Sequence, residues 1–470
     1  MQSTPLSHSQ ETVLARAIDK YPRVKPLITH LLQEGGRVYL VGGAVRDLIM
    51  DNEIKDLDIE IHGIPLEQLE KVLQKHGSVS IIGKSFGVLR VHGLPIDWSL
   101  PRTDAAGRKP EVTIDPHMDI QKASARRDLT MNAMAIDMHH RLLLDPFNGQ
   151  QDIKDKILRT PDPLFFAQDP LRFYRVMQFI SRFAMYPDTE LTNQCKTIDI
   201  STVSHERIEA ECEKMLLKSV QPSLGLRWLQ TIGRLEELFP ELYATASVPQ
   251  DPRWHPEGTV FEHTMQTVDA AARVLYDDHE KRIQLLLAAL CHDLGKVVAT
   301  QQTKDRITSY GHELYGVSLA KNMLMRITHN KERIRVVTTL VRHHMAPLQF
   351  IANNAQQAAY KRLAYALSPY TNIHMLADLA CADKCGRNAA SIQPLDGPCT
   401  QVQLFLDKAA EAQVQYDKEE PIVTGNDLLP YISSGPQMGT LLKKAYALQI
   451  NKNIKDKQIL INAIVEKNSL

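Results

Sequence analysis

The sequence predicts an α/β N-terminal domain with a small mixed sheet, followed by an all-α body, a second all-α domain and a helical C-terminal tail. Three observations carry this expectation. Short β-rich runs alternate with helical ones up to about residue 145, and from 146 onward the runs turn helical. The Pro-rich stretch SVPQDPRWHPE then opens a helical block rich in histidine. The expected boundaries are 1–145, 146–245, 246–390 and 391–470. Lys plus Arg and Asp plus Glu both number 55, so any nucleic-acid binding must rest on local basic patches. The N-terminus MQSTPLSHSQ has no apolar signal core and no apolar run approaches 18 residues, so the chain is expected to be cytoplasmic with no membrane contact.

Residues 1–35 read as helical and end in the breaker EGG. RVYLVGG then forms a strand that stops at Gly42–Gly43 and opens a helix at Ala44. A glycine pair there lets backbone N–H groups approach an anion, although the same pair also makes an ordinary tight turn. Arg46 would either contact that anion or pair with Asp47. In IKDLDIEI, residues 54–61, strand alternation puts Asp56, Asp58 and Glu60 on one face and Leu57, Ile59 and Ile61 on the other. The acids form either a solvated edge or a cation site, because carboxylates two residues apart repel unless a cation lies between them. A phosphate cradle followed by Asp-x-Asp points to divalent metals bridging triphosphate oxygens and a nucleophilic hydroxyl. The third carboxylate of such a site is expected at Asp97, in LPIDWSL, with Glu60 as the alternative. SVSIIG, GVLRVHG and MAIDMHHRLLLDPF supply the remaining β-runs.

ARRDLTMNAMA, residues 125–135, has a basic step at Arg126–Arg127, with Asp128 and Asn132 one helical turn apart. It reads either as a helix capped by Asp128 or as a set of sugar and phosphate contacts. In QDPLRFYRVMQFISRF, residues 168–183, Asp169 and Pro170 make a helix start, and Asp169, Arg172 and Arg175 share one face. An acid beside a guanidinium matches the exocyclic amino group and ring nitrogen of cytosine or adenine, and capping is the simpler account of the same acid.

GGAVRD, DLD, RRDLTMNAMA, DPFNG and DPLRFYRVMQF stand in the order and spacing of bacterial tRNA nucleotidyltransferases. From residue 37 to about 245 the chain resembles the CCA-adding class, which also contains bacterial poly(A) polymerases. The resemblance implies a nucleotidyltransferase palm at 1–145 and a neck and body for base recognition and tRNA binding at 146–245. It implies that Asp56 and Asp58 hold catalytic Mg²⁺, that Gly42, Gly43 and Arg46 hold the triphosphate, and that Asp169 and Arg172 pair with CTP or ATP as a protein template. The tRNA 3′-hydroxyl would attack the α-phosphorus and release pyrophosphate. Gln168 departs from the glutamate of many members. RTDAAGRKPEV, residues 102–112, resembles the loop linked to full C-then-A addition. Poly(A), CC-only and A-only enzymes share these motifs and stay open as alternatives, as does a metal phosphohydrolase with an RNA-binding N-terminal domain.

The histidine block supplies His255, His263, His292, Asp293, His312, His343, His344 and Asp383 on predicted helices. Imidazole plus carboxylate suits Mg²⁺, Mn²⁺, Ni²⁺ or Zn²⁺. The pattern resembles an HD-type metal-dependent phosphohydrolase. That implies a core site of His263, His292, Asp293 and Asp383, further ligands at His312, His343 and His344, and phosphatase and 2′,3′-cyclic phosphodiesterase activity. A degenerate HD scaffold is the alternative. The tail 421–449 resembles a segment that follows the HD block in some of these enzymes, and Lys443 and Lys444 give it either a tRNA-backbone contact or a solvated face. The six cysteines read as separate reduced thiols.

Overall fold

The computed structural model describes residues 2–81, 87–104 and 112–465. The chain divides into two compact units, Met1–Glu211 and Cys212–Leu470.

The first unit carries β1 (Gln2–Pro5), β2 (Arg37–Val41), β3 (Leu57–His62), β4 (Val79–Ile81), β5 (Val88–Val91), β6 (Ile96–Ser99), β7 (Arg102–Asp104), β8 (Val112–Ile114), β9 (Ala135–Asp137) and β10 (Leu142–Asp145), with a short parallel pair at Ile157–Leu158 and Tyr186–Pro187 besides. Among the described residues, one mixed sheet runs β1-β10-β9-β2-β3-β6-β5-β4. Its parallel pair is β3 with β6. β7 and β8 pair separately, and the stretch between them, which holds most of the loop read at 102–112, lies outside the described residues. Alternation in β3 sends Leu57, Ile59 and Ile61 into a core shared with Leu40, Trp98 and Val45. Each such side chain contributes roughly 1.5–3 kcal/mol when buried.

Two local expectations are corrected. Residues 2–5 are not helical but form β1 against β10, and the helix begins only at His8, after the Ser7–Gln10 capping box. The pairing partner lies far along the chain, so local pattern does not reveal it. Nor is ARRDLTMNAMA one helix: the helix Ile120–Ala125 ends first, and a single 3₁₀ turn, Thr130–Asn132, leads into β9. The Asp128 carboxylate accepts from Leu129 N–H at 2.9 Å, and Thr130 N–H donates to the Arg159 carbonyl, so both bonds turn the chain out of a helical path.

The second unit is built on the helices Val260–Ala272, His279–Cys291, His312–Ile327, Lys331–His343 and Ile373–Cys385. Thr259, Asp278, Asn330 and Asn372 cap four of them by accepting backbone N–H bonds, each cap being worth about 1 kcal/mol. Gly295 lets the segment after His292–Asp293 pass the next helix: a Cβ there would sit 1.9 Å from the His312 carbonyl oxygen. The tail helices Pro436–Lys452 and Lys457–Val465 close a smaller core around Val423, Leu441 and Leu460, with Lys443 and Lys444 exposed. Among the described residues no helix is long and apolar enough to cross a membrane. The cysteine reading is corrected at one place: Cys381 and Cys399 form a disulfide, because the chain after Cys385 returns to the same helix face at residue 399.

Candidate functional site

β2 ends at Val41, and Gly42 takes φ 71° before the helix Gly43–Ile49. A Cβ at Gly42 would lie 3.3 Å from Arg127 Nη1 and 3.6 Å from Asp58 Oδ2, so the turn requires glycine for its conformation and for its space. Asp58 on β3 stands opposite Asp97 on β6 in parallel register, which points both carboxylates to one face of the sheet. Asp56 is exposed just before β3. Burial raises the Asp58 pKa; Arg127 opposes the rise, and the charges of Asp97 and Asp56 add to it. A half-desolvated acid facing two others has the electrostatics that a divalent cation relieves, so this donor set fits one. Arg90 holds Asp97 through Nε at 2.9 Å and Nη2 at 2.6 Å. Glu60 is buried and bonded to His62 Nε2 at 2.9 Å and Arg127 Nη2 at 3.4 Å. Burial would raise its pKa, but His62 and Arg127 outweigh that and lower it.

Arg46 takes the Asp47 alternative, with Nε and Nη2 at 2.9 and 2.7 Å from Asp47 Oδ1. Its Nη1 donates to Asn132 Oδ1 at 2.8 Å, and its guanidinium packs on Phe183, 4.9 Å from the ring centroid. Asn132 in turn donates to Asp128 Oδ1 at 2.9 Å, and Arg175 Nε donates to Asp128 Oδ2 at 2.6 Å. Arg46, Asn132, Asp128 and Arg175 therefore make one bonded chain from the glycine turn to the helix Leu171–Phe183. Burial opposes ionisation of Asp128, but Arg175 and Asn132 hold its pKa down. Arg172 donates to the carbonyls of Phe165 at 2.6 Å and Arg126 at 2.9 Å and stacks on the Phe165 ring, on which Arg126 also lies. Asp169 accepts from Leu171 N–H at 3.2 Å and pairs with Arg207 Nη2 at 3.0 Å. Asp169 and Arg172 thus share the helix start, and the residue bonded to Asp169 is Arg207. Sequence reading missed Arg207, since a lone arginine in the charged helix His205–Lys218 reads as a solvated face.

In the second unit His263, His292, Asp293, His312, His344 and Asp383 converge, all buried. His263 Nε2 lies 3.1 Å from Asp383 Oδ1, 3.3 Å from His292 Nε2 and 3.6 Å from Asp293 Oδ2. The other Asp293 oxygen, Oδ1, lies 3.2 Å from His312 Nε2 and 3.7 Å from His344 Nε2, which are themselves 3.1 Å apart. Each imidazole is turned by its outer nitrogen: Nδ1 of His263, His292, His312 and His344 lies 2.7–2.9 Å from the carbonyls of Gly386, Ala289, Ser309 and Val341. Those bonds put a proton on each Nδ1 and turn each Nε2 toward the centre. Two imidazole nitrogens at hydrogen-bond distance, with carboxylates alongside, are a donor set that fits divalent cations. Burial disfavours charge on His263, but Asp383, Glu257 and Asp293 outweigh it and raise its pKa to about 9. Burial and the neighbouring His312 and His292 push His344 down to about 3.

His343 is corrected: it contributes no nitrogen to either half of this centre. His344 Nε2 meets His312 Nε2 and Asp293 in the centre, whereas His343, half-buried one residue earlier, joins none of these groups. Glu257 was missed. Its side chain is buried, and its Oε1 lies 2.9 Å from His255 Nδ1 and 2.8 Å from His263 Nδ1. The HPE triplet that holds it falls in the Pro-rich break, where no periodicity marks a buried acid.

The poly A polymerase head domain family matches residues 38–159, and the HD domain family matches residues 260–380. The chain is 33% identical over 305 residues to the multifunctional CCA protein of Mannheimia succiniciproducens, covering 62% of this chain and 70% of that one. It is 31% identical to the multifunctional CCA protein of Methylobacillus flagellatus, covering 66% of this chain and 74% of that one. In fold it is similar to the Bacillus stearothermophilus CCA-adding enzyme in complex with CTP, with a TM-score of 0.63 at 20% identity, over 96% of this chain and 98% of that one. With 33% identity over an alignment that spans seven-tenths of such a relative, and both domain families in the order of its acidic and histidine centres, this chain belongs to the multifunctional CCA protein family.

Proposed function

We propose that this chain adds C, C and A in turn to the tRNA 3′ end, using CTP and ATP and releasing pyrophosphate. We further infer that its histidine–aspartate centre hydrolyses phosphate esters, 2′,3′-cyclic phosphodiesters among them. The observation that carries the first activity is the register of Asp58 against Asp97 beside the Gly42 turn. Family membership supports both activities in one chain. In this reading residues 1–145 are the palm, 146–245 the neck and body, 246–390 the HD domain and 391–470 a tail that contacts tRNA through Lys443 and Lys444.

Asp56, Asp58 and Asp97 would hold Mg²⁺, which when bound lowers the pKa of the 3′-hydroxyl and offsets charge on the departing pyrophosphate. The Gly42–Gly43 backbone and Arg127, which lies over that turn, take the triphosphate. Arg46 keeps the turn in place through Asn132 and Asp128 rather than reaching into solvent. Asp169 offers an acceptor to the base edge, and Arg172, with its plane set by two carbonyls, offers the donor. Arg126 and Arg175 brace this corner through Phe165 and Asp128. In the second unit His263, His292, Asp293 and Asp383 would hold one divalent cation, and Asp293 with His312 and His344 a second. Their Lewis acidity toward a phosphate ester is the chemistry they supply. Lys296, 2.6 Å from Asp293 Oδ2, and Arg387, 2.9 Å from Asp383 Oδ1, fix the two carboxylates.

The test is incorporation on a tRNA transcript lacking its last three nucleotides. Two additions with CTP alone and a third only with CTP and ATP together are expected. A long ladder with ATP alone would overturn CCA addition in favour of a poly(A) polymerase.

A further inference from the structure

The helix Ile373–Cys385 places Cys381 and Cys385 one turn apart on one face, about 200° of rotation away from Asp383 between them. Cys399, N-cap of the helix Thr400–Glu411, returns to that face. The three Sγ atoms lie within 4.8 Å of one another, with Cys381 and Cys399 joined as a disulfide. Cys385 Sγ stands 3.8 Å from Cys399 Sγ. Two thiolates bound to one tetrahedral Zn²⁺ at about 2.3 Å are separated by about 3.8 Å, the spacing of that pair.

We propose that, in the reduced protein, Cys381, Cys385 and Cys399 form a thiolate site for a soft divalent cation of the zinc class, separate from both catalytic centres. Two small-molecule thiol groups take the disulfide to two thiols, supplying the two electrons and two protons, and are themselves joined as a disulfide. The three thiols then lose their protons to solvent as the cation binds. Sulfur selects a soft cation, whereas the imidazole and carboxylate centre on the opposite face accepts harder ones. The site fills three tetrahedral positions, and the half-buried cysteines leave the fourth to solvent.

Position gives the site its role. The segment between Cys385 and Cys399 backs the histidine centre: Gly386 O accepts from His263 Nδ1, Arg387 pairs with Asp383, and the carbonyls of Asn388 and Ser391 accept from Gln266 Nε2. A cation on the three sulfurs ties both ends of that segment to one helix.

The test uses the full chain, reduced, stripped by chelator and titrated anaerobically with Co²⁺ alone. Neither catalytic centre contains sulfur, so a thiolate-to-cobalt charge-transfer band reports this site only. The expected result is one equivalent of Co²⁺ giving the band, its bleaching by Zn²⁺, and at least about tenfold weaker binding in Cys385→Ser, Cys381→Ser and Cys399→Ser. A wild-type far-ultraviolet circular dichroism spectrum and melting curve for Cys385→Ser certify that this variant folds. No band in the reduced wild type, an undiminished band in all three variants, or a Cys381–Cys399 bond that persists under reductant would each overturn the site.

Discussion

Asp97 and Glu60 both share a sheet face with Asp58, yet their surroundings differ. Asp97 is directly opposite Asp58 and half-exposed, whereas Glu60 is buried and already bonded to His62 and Arg127. Asp97→Asn should therefore lower nucleotide incorporation at least about a hundredfold, the loss of a few kcal/mol of charge stabilisation, while Glu60→Gln acts mainly on thermal stability. Single-turnover incorporation and melting of the two variants separate these roles, and the reverse pattern would move the third carboxylate to Glu60. The histidine pair is asymmetric in the same manner. His344→Ala should weaken metal binding and phosphate-ester hydrolysis, and His343→Ala should leave both close to wild type, as measured by metal titration and by hydrolysis of a chromogenic phosphate ester. Alternation along β3 made Asp58 and its face readable from sequence. Neighbouring histidines at a helix end carry no periodic signal that chooses between them, and Glu257 and Arg207 stand in stretches whose composition reads as loop or solvated helix.

The helix Val260–Ala272 carries His263 and, on another face, Asp269, whose carboxylate accepts from Ser223 N–H at 2.9 Å and Ser223 Oγ–H at 2.7 Å. Burial raises the Asp269 pKa from 3.8 to about 7 even though those bonds oppose the rise. The folded chain thus keeps a proton there that the unfolded chain has released. The contribution to stability is full below about pH 4 and is lost as pH rises through about 7, at up to roughly 1.4 kcal/mol per pH unit. Asp269→Asn should flatten that part of the stability profile, measured by denaturant unfolding of variant and wild type from pH 4.5 to 7.5; an identical slope would assign the proton elsewhere. The helical character of the histidine-rich block was legible, though its individual caps, such as Asn330 and Asn372, emerge only in the structure. The strand at residues 2–5 and the 3₁₀ turn at 130–132 were not, because each is set by a partner distant in sequence or by a side chain bonding its own backbone.

The two centres lie in separate compact units, one acid-based and one imidazole-based. Asp58→Asn should stop nucleotide addition while phosphate-ester hydrolysis persists, and Asp293→Asn should do the opposite. Loss of both activities in either folded variant would show that the centres depend on each other. The boundary at Glu211–Cys212 was invisible in the sequence, since it falls within the continuous helix His205–Lys218 and no Pro or Gly marks it.

The four Nδ1 bonds to main-chain carbonyls have an effect on the chemistry of loading. With the outer nitrogen of each ring occupied, its sole basic position is the one aimed at the centre, so a proton and a metal ion are rivals for the same lone pair. Acidification would then empty the centre by exchange, cation out and proton in, instead of loosening it ring by ring. Because the carbonyls belong to the backbone, a substitution among the surrounding side chains, Glu257 beside His263 Nδ1 included, leaves them in place to hold each ring's orientation.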